Sequence, residues 1–136
     1  VQQEVAERFC AKVGDESYGI PSVILSFFCN CKITRKVNRK MFFPEPNVDS
    51  AVIRLDRKEL QYDENFIKKF SQIVNASFAM RRKKLLNNLT KILTISKENL
   101  LNILSKLGIN EMARAEELSL ENYIDLTKEL ILIDKF

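Results

Sequence analysis

The sequence predicts an α+β fold that is mostly α. Two strand-like segments, one carrying β-branched residues and one alternating with a two-residue period, flank a proline-rich loop between residues 32 and 57. Beyond Leu60 the apolar residues recur at helical spacing almost to the end. The 136 residues are 46% hydrophobic, enough for one ordinary core or for part of a lobe plus a small helical domain.

Residues 1–12 predict the end of an amphipathic helix, with Val1, Val5, Phe9 and Val13 on one face. Gly14 to Gly19 is a turn-rich connection. Pro21 suits a first helical turn, so Ser22–Cys31 predicts a short buried helix, with a buried strand as the alternative. Lys32–Arg39 carries β-branched residues at positions 33, 34 and 37 and predicts a strand. In Ser50–Arg57, Ala51, Ile53 and Leu55 alternate with Val52, Arg54 and Asp56, the pattern of a half-buried strand. Between them, Pro44 and Pro46 forbid regular structure. The two strands are expected to pair antiparallel. Since a lone two-stranded ribbon is marginal in water, they are expected to belong to a larger sheet begun upstream of Val1.

The helical half has four stripes. Phe66, Phe70, Ile73, Val74 and Phe78 form the first, and Leu85, Leu86, Leu89, Ile92 and Leu93 the second. Ser96 is placed to cap the third, which holds Leu100, Leu101, Leu104 and Leu107 and ends at Gly108. Ser119 is placed to cap the fourth, with Tyr123, Ile124, Leu126, Leu130 and Ile131. The expected boundaries are 1–59 for the first domain and 60–136 for the helical one.

Composition narrows the chemistry. There is no histidine, which removes the commonest general base and the Ser-His and Cys-His pairs. The longest apolar stretch, Ile20–Cys31, is too short and too polar for a membrane span, which needs ~20 apolar residues. No signal peptide opens the chain, and its first residues look like mid-helix sequence, so a soluble piece of a longer protein is expected. Cys10, Cys29 and Cys31 lack the four convergent ligands of a zinc site; free thiols in a reducing cytoplasm and no metal are expected.

The net charge of +4 is unevenly spread. Lys32, Arg35, Lys36, Arg39 and Lys40 lie in a window without acids. A second acid-free window holds Lys68, Lys69, Arg81, Arg82, Lys83, Lys84, Lys91 and Lys97. From Glu98 onward eight acids face four bases. Such segregation points to a polyanion, against the blander reading of solvated helix faces. The loop KMFFPEPNVDS, residues 40–50, offers a stiff aromatic surface, and an aromatic face stacks on an extruded base for roughly 1–3 kcal/mol. The plainer reading is that Phe42 and Phe43 plug a core, and composition alone favours it for at least one of them. In FAMRRKKLLNNL, residues 78–89, four cations near a helix start oppose the positive end of the macrodipole, which suits phosphate contacts, with a solubilising patch as the even alternative. Asn87 and Asn88 follow and could bond to bases or sugars, although surface asparagines usually do neither. RAEELSLENY, residues 114–123, reads as structural: Arg114 can pair with Glu117 or Glu121, while Leu118 and Leu120 anchor the last helix.

Five stretches together carry a family resemblance. QQEVAERF at 2–9, YGIPSVILSFFCN at 18–30, FFPEPNVDSAVIRL at 42–55, FAMRRKKLLNNL at 78–89 and RAEELSLENYIDL at 114–126 resemble, in order, the KsgA-type ribosomal RNA small-subunit adenine dimethyltransferases. These are relatives of antibiotic-resistance rRNA methyltransferases and of mitochondrial transcription factor B proteins. The resemblance implies that residues 1–59 are the last helices and two antiparallel strands of a Rossmann-like methyltransferase lobe, followed by a small C-terminal helical domain facing RNA. It implies S-adenosylmethionine as methyl donor, attacked by a neutral adenine amine, which needs orientation more than a strong base. The donor's glycine-rich loop and the Asn/Asp-Leu/Ile-Pro-Tyr/Phe tetrapeptide are not in this chain, and Arg-Lys-Val-Asn and Pro-Glu-Pro-Asn do not replace them.

By the same resemblance Phe42 would stack on the target adenine, while Phe43 stands at a position that the family varies. Lys32, Arg35, Lys36, Arg39, Lys40, Arg81, Arg82, Lys83, Lys84 and Asn87 would contact RNA. Gln3, where a basic residue is usual, and Glu45 in the loop depart from the pattern. The implied partner is small-subunit ribosomal RNA or its precursor particle, met by a monomer in the cytoplasm, with mitochondrion or plastid open for a eukaryotic parent. A non-catalytic RNA-binding or ribosome-assembly module, or a mitochondrial transcription factor, is the main alternative. A large-subunit resistance methyltransferase and a helical protein-interaction domain fit less well.

Overall fold

The computed structural model describes residues 1–80 and 82–133. The chain divides into two compact units, Val1–Leu60 and Gln61–Phe136.

The first unit comprises helix α1 (Gln3–Cys10), helix α2 (Ile20–Phe28), strand β1 (Cys29–Val37) and strand β2 (Ser50–Arg57). Pro21 sits in the first turn of α2, where its missing N–H costs no helical bond. The Gly19 amide donates to the Ser22 hydroxyl at 3.1 Å. The same hydroxyl donates to the Arg8 carbonyl, tying α2 to α1. The helical alternative for this segment therefore holds, but it stops three residues early, because Cys29, Asn30 and Cys31 already belong to β1. Their burial alternates with the strand period: Cys29, Cys31 and Ile33 are half-buried, and Asn30 and Lys32 are exposed.

β1 and β2 pair antiparallel, with Ile33 opposite Ile53 and a register shift between Ile33 and Arg35. Residues 1–3 run beside the start of β2: Ala51 N–H donates to the Val1 carbonyl at 2.8 Å, and Gln3 N–H to the Asp49 carbonyl at 2.9 Å. α1 packs on α2 and both strands around Ala6, Val23, Phe27 and Ala51.

Two expectations for this unit are corrected. The buried position of α1 is Ala6, with Val5 and Phe9 half-buried and Val1 and Val13 exposed. A methyl side chain lets the helix lie close to its neighbours, turning the buried face by one residue, and α1 ends before Val13. Nor are all the thiols free. Cys10 and Cys31 form a disulfide with their Cα atoms 5.2 Å apart, leaving Cys29 as the free cysteine. The last residue of α1 lies against the inward face of β1, a proximity that spacing along the chain does not reveal.

The second unit comprises helices α3 (Glu64–Ser77), α4 (Leu85–Ile92), α5 (Lys97–Lys106) and α6 (Leu120–Leu132), with a 3-10 turn over Ala115–Glu117. α3 packs on α4 and α6, and α5 on α4 and α6. Phe70, Ile73, Leu85, Leu89, Leu100, Leu104, Leu118, Tyr123, Leu126 and Leu130 fill the core. Burying each such side chain is worth about 1.5–3 kcal/mol before chain entropy is counted.

The helix ends follow local chemistry. Asp63 accepts the Phe66 amide at 2.8 Å, Ser96 the Asn99 amide at 3.4 Å, and Ser119 the Asn122 amide at 3.2 Å. Gly108, at φ +70°, closes α5. Ile109 N–H reaches the Leu104 carbonyl at 2.9 Å and Gly108 N–H the Ser105 carbonyl at 3.2 Å, the paired bonds of a glycine-terminated helix. The second apolar stripe is only partly used: Leu85, Leu86 and Leu89 are buried, Leu93 is half-buried, and Ile92 stays 46% exposed. No described helix is long and apolar enough to cross a membrane.

Candidate nucleic-acid interface

In the first unit the candidate residues gather on β1 and on the loop after it. Strand pairing decides which of them share a face. Lys32 stands opposite Arg54 and, across the shift at Thr34, Arg35 stands opposite Val52. Val52 and Arg54 are two residues apart on one strand, so Lys32, Arg35 and Arg54 lie on one exposed face. Without the shift, Lys32 would have aligned with Thr34 and Lys36. Instead Lys36 pairs with Ala51 and falls on the other side. Arg54 joins the cluster, although the basic run does not include it. The alternation of β2 already set Val52, Arg54 and Asp56 apart from the core-facing residues, and that was the available signal. Like charges directly opposite each other destabilise a sheet. Here the exposed Asp56 carboxylate, 3.0 Å from the Arg54 guanidinium, offsets part of the repulsion.

The loop is held at its base by Arg39. Its backbone amide and its Nε both donate to Asp49 Oδ1, at 2.8 and 3.2 Å, and Nη1 donates to the Asn47 carbonyl at 2.8 Å. Asp49 is held below its ordinary pKa, first by the hydrogen bond from the Arg39 amide and then by that from its guanidinium, with desolvation opposing. Arg39 thus latches the loop, while Lys40 projects into solvent, its amide bonded to the Asn38 side chain at 2.9 Å. Asn38 starts a 3-10 turn over Arg39–Met41, and Phe42 ends it. Phe42 is 45% exposed and Phe43 is fully exposed. Neither plugs the core of this unit. Met41 and Val48 extend the apolar surface, so the loop presents a hydrophobic tip next to cations.

In the second unit the basic run precedes α4. Arg82, at φ +72°, occupies the left-handed region that side chains seldom adopt. Arg82 and Lys83 are exposed, Lys84 is half-buried at the N-cap of α4, and Arg81 lies outside the described residues. No side chain caps this helix; one of its free amides, that of Leu85, donates to the Ala113 carbonyl at 2.9 Å. Cations at this end oppose the macrodipole. The two asparagines diverge. Asn87 is exposed, but Asn88 is 3% exposed and its Nδ2 donates to the Ser77 carbonyl at 2.9 Å and the Met80 carbonyl at 3.4 Å. Asn88 therefore joins α4 to the end of α3.

Residues 114–123 are structural, as the sequence suggested, but by other bonds. The Arg114 amide donates to the Glu117 carboxylate at 3.3 Å, and the buried Tyr123 hydroxyl donates to the Ala115 carbonyl at 2.6 Å.

The described residues include no group of three or more His, Cys, Asp or Glu side chains able to hold a metal. None of the three glycines marks a close approach of the backbone to another group. A Cβ at Gly14 or Gly108 would meet nothing within 4 Å, and at Gly19 it would meet only Pro21 Cδ at 3.9 Å.

Comparison with known proteins places these features in a family. The profile of the family described as ribosomal RNA adenine dimethylase matches residues 1–132. The chain is 44% identical over 124 residues to ribosomal RNA small subunit methyltransferase A of Clostridium botulinum (strain Kyoto / Type A2), covering 90% of the chain and 45% of that protein. It is 40% identical over 139 residues to the protein of the same name from Bacillus mycoides (strain KBAB4), covering 97% and 47%. Among solved structures, a dimethyladenosine transferase from Plasmodium falciparum superposes with a TM-score of 0.82 at 25% identity, covering 96% of this chain and 55% of that one. The 23S rRNA methyltransferase ErmE superposes with a TM-score of 0.69 at 22% identity, covering 96% and 52%, a likeness of fold. The chain thus spans about half the length of the curated relatives it matches. With the five sequence stretches and the matched profile in agreement, the chain belongs to the ribosomal RNA adenine dimethylase family.

Proposed function

We propose that this chain is the C-terminal, RNA-facing part of an S-adenosylmethionine-dependent dimethyltransferase that modifies adenines of small-subunit ribosomal RNA during ribosome biogenesis. Residues 1–59 would form the tail of the methyltransferase lobe and 60–136 a helical RNA-facing domain. The relatives' name, ribosomal RNA small subunit methyltransferase A, supports the substrate. S-adenosylmethionine brings the methyl group in such enzymes. Gly14, Gly19 and Gly108 do not form the glycine-rich loop that such a donor site uses, which supports a donor pocket in another part of the parent protein.

The observation that carries the reading is the latched loop. Phe42 is half exposed at the end of a short turn whose base is fixed by three hydrogen bonds from Arg39. A fixed, solvent-facing ring lets an extruded adenine stack at little further entropic cost. Lys32, Arg35 and Lys40 would hold neighbouring phosphates, and Arg81, Arg82, Lys83 and Lys84 would do so on the second unit, positioning RNA without reading its sequence. Arg39 would act mainly through the loop it holds, Lys36 lies off the shared face, and Asn87 is exposed for a sugar or base contact.

The test is Phe42→Ala in the full-length protein. Methyl transfer to unmethylated small subunits is expected to fall at least roughly tenfold, the loss of about 1.4 kcal/mol of stacking, while affinity for the particle changes little. Equal activity in variant and wild type would overturn the role of Phe42.

A further inference from the structure

A groove of about 730 Å³ on the second unit lies apart from the residues assigned above. One wall is a single face of α3 and its continuation: Lys68, Gln72, Asn75, Ala76 and Ala79 recur at helical spacing. The other wall is Ile92 and Leu93, at the end of α4. Small residues at 76 and 79 leave the space open, and Ile92 lines it while remaining 46% exposed. That volume falls within the ~300–1,000 Å³ of small-molecule sites.

We propose that this groove receives one unpaired nucleobase of the bound RNA. Three features of the lining select that ligand. The floor of Ala76, Ala79, Ile92 and Leu93 is apolar and suits the face of a base. The rim carries the Gln72 and Asn75 amides. One Nδ2 hydrogen of Asn75 goes to the Ser71 carbonyl at 2.7 Å, leaving the second hydrogen and Oδ1 for a base edge, and Gln72 adds donors and an acceptor. The third feature is charge. Lys68 is exposed at one end, and no acid occurs anywhere from Lys68 to Lys97, so the groove lies in a stretch of chain complementary to phosphate. A planar apolar body with a polar edge and an attached anion is a nucleotide. An uncharged apolar helix would use the floor but not the amides or the cation. The inference rests on the proposed RNA partner and deepens it, adding a second candidate base contact, apart from Asn87, to a unit otherwise assigned phosphate contacts.

The test compares two fluorescently labelled single strands of equal length and charge, an oligoadenylate and its abasic counterpart, by anisotropy with the full chain. Two variants probe the groove: Ala79→Lys, which fills it while adding a cation, and Gln72→Glu on the exposed rim. Both substitutions lie at exposed positions, and unchanged thermal melting verifies folding. Wild type is expected to prefer the base-bearing strand by roughly tenfold, and both variants are expected to lose most of that preference. Ala79→Lys should bind oligoadenylate more weakly despite its extra charge. The groove assignment is overturned if Ala79→Lys keeps the preference or tightens binding to both strands, which would mark a phosphate-only surface. It is also overturned if Ala79→Lys abolishes self-association seen by sedimentation, which would mark a dimer contact. If wild type binds neither strand, the RNA reading fails together with the groove. Salt-dependent binding with a preference indifferent to both variants removes the groove alone.

Discussion

Asn87 and Asn88 are neighbours in sequence and sit in the same basic-apolar segment, yet substitution should separate them sharply. Asn88 is 3% exposed, and its amide serves two carbonyls, that of Ser77 at the end of α3 at 2.9 Å and that of Met80 beyond it at 3.4 Å. The last carbonyls of a helix have no partner within the helix, so the Asn88 amide fills a position that water cannot reach. The 3.4 Å bond is long for an N–H···O contact and carries little weight. Asn88→Ala then strands the Ser77 carbonyl in a residue that is 1% exposed, at a cost of about 1–3 kcal/mol. A domain of this size loses about 4–8 °C of Tm per kcal/mol, so a central cost of ~2 kcal/mol lowers the melting of the helical unit by roughly 8–16 °C. Asn87→Ala, at an exposed position, should stay within about 0.5 kcal/mol of wild type and act only on RNA affinity. Thermal unfolding followed by far-ultraviolet circular dichroism measures both. If Asn88→Ala melts within about 2 °C of wild type, or if Asn87→Ala falls as far, the structural assignment of Asn88 is refuted.

That pair shows where the sequence was readable and where it was not. Periodicity located every helix of the second unit, because each stripe is buried against neighbours in the same short stretch of chain. Ser96, Ser119 and Gly108 were legible as helix ends because a cap is a local bond between residues a few positions apart. Position around a helix was harder to read. One residue is a turn of about 100°, which is all that divides Asn88 from Asn87, or buried Ala6 from half-buried Val5. Features that depend on distant pairing gave no local signal. The shift at Thr34 moves Lys36 off the face of Lys32 and Arg35 and lets Arg54 join it. Likewise the disulfide requires Cys10 and Cys31 to meet across two elements, and Arg39 shows its latching role only once Asp49 is folded back beside it. The basic run was visible as charge, but which of its members hold the fold could be seen only in three dimensions.

Two further tests address the candidate interface. Because the folded state lowers the pKa of Asp49, the latch contributes at any pH above the ordinary aspartate range and is lost as pH falls through the lowered value. NMR titration of the Asp49 carboxylate and the Arg39 amide should therefore show a shared midpoint below that of an unstructured aspartate; a midpoint at or above it would mean that the latch does not form in solution. For the second unit, neutralising Arg81, Arg82, Lys83 and Lys84 together should weaken RNA binding and flatten the plot of log affinity against log salt. Each phosphate that the variant no longer neutralises takes about 0.7–0.9 off the slope, so the size of the change tells how many of the four meet phosphate. Lys84 is half-buried at the N-cap of α4, whereas Arg82 and Lys83 project into solvent, so restoring Arg82 and Lys83 alone should recover more of the slope than restoring Lys84. A slope that stays unchanged when all four are neutral would make the run a solubilising patch.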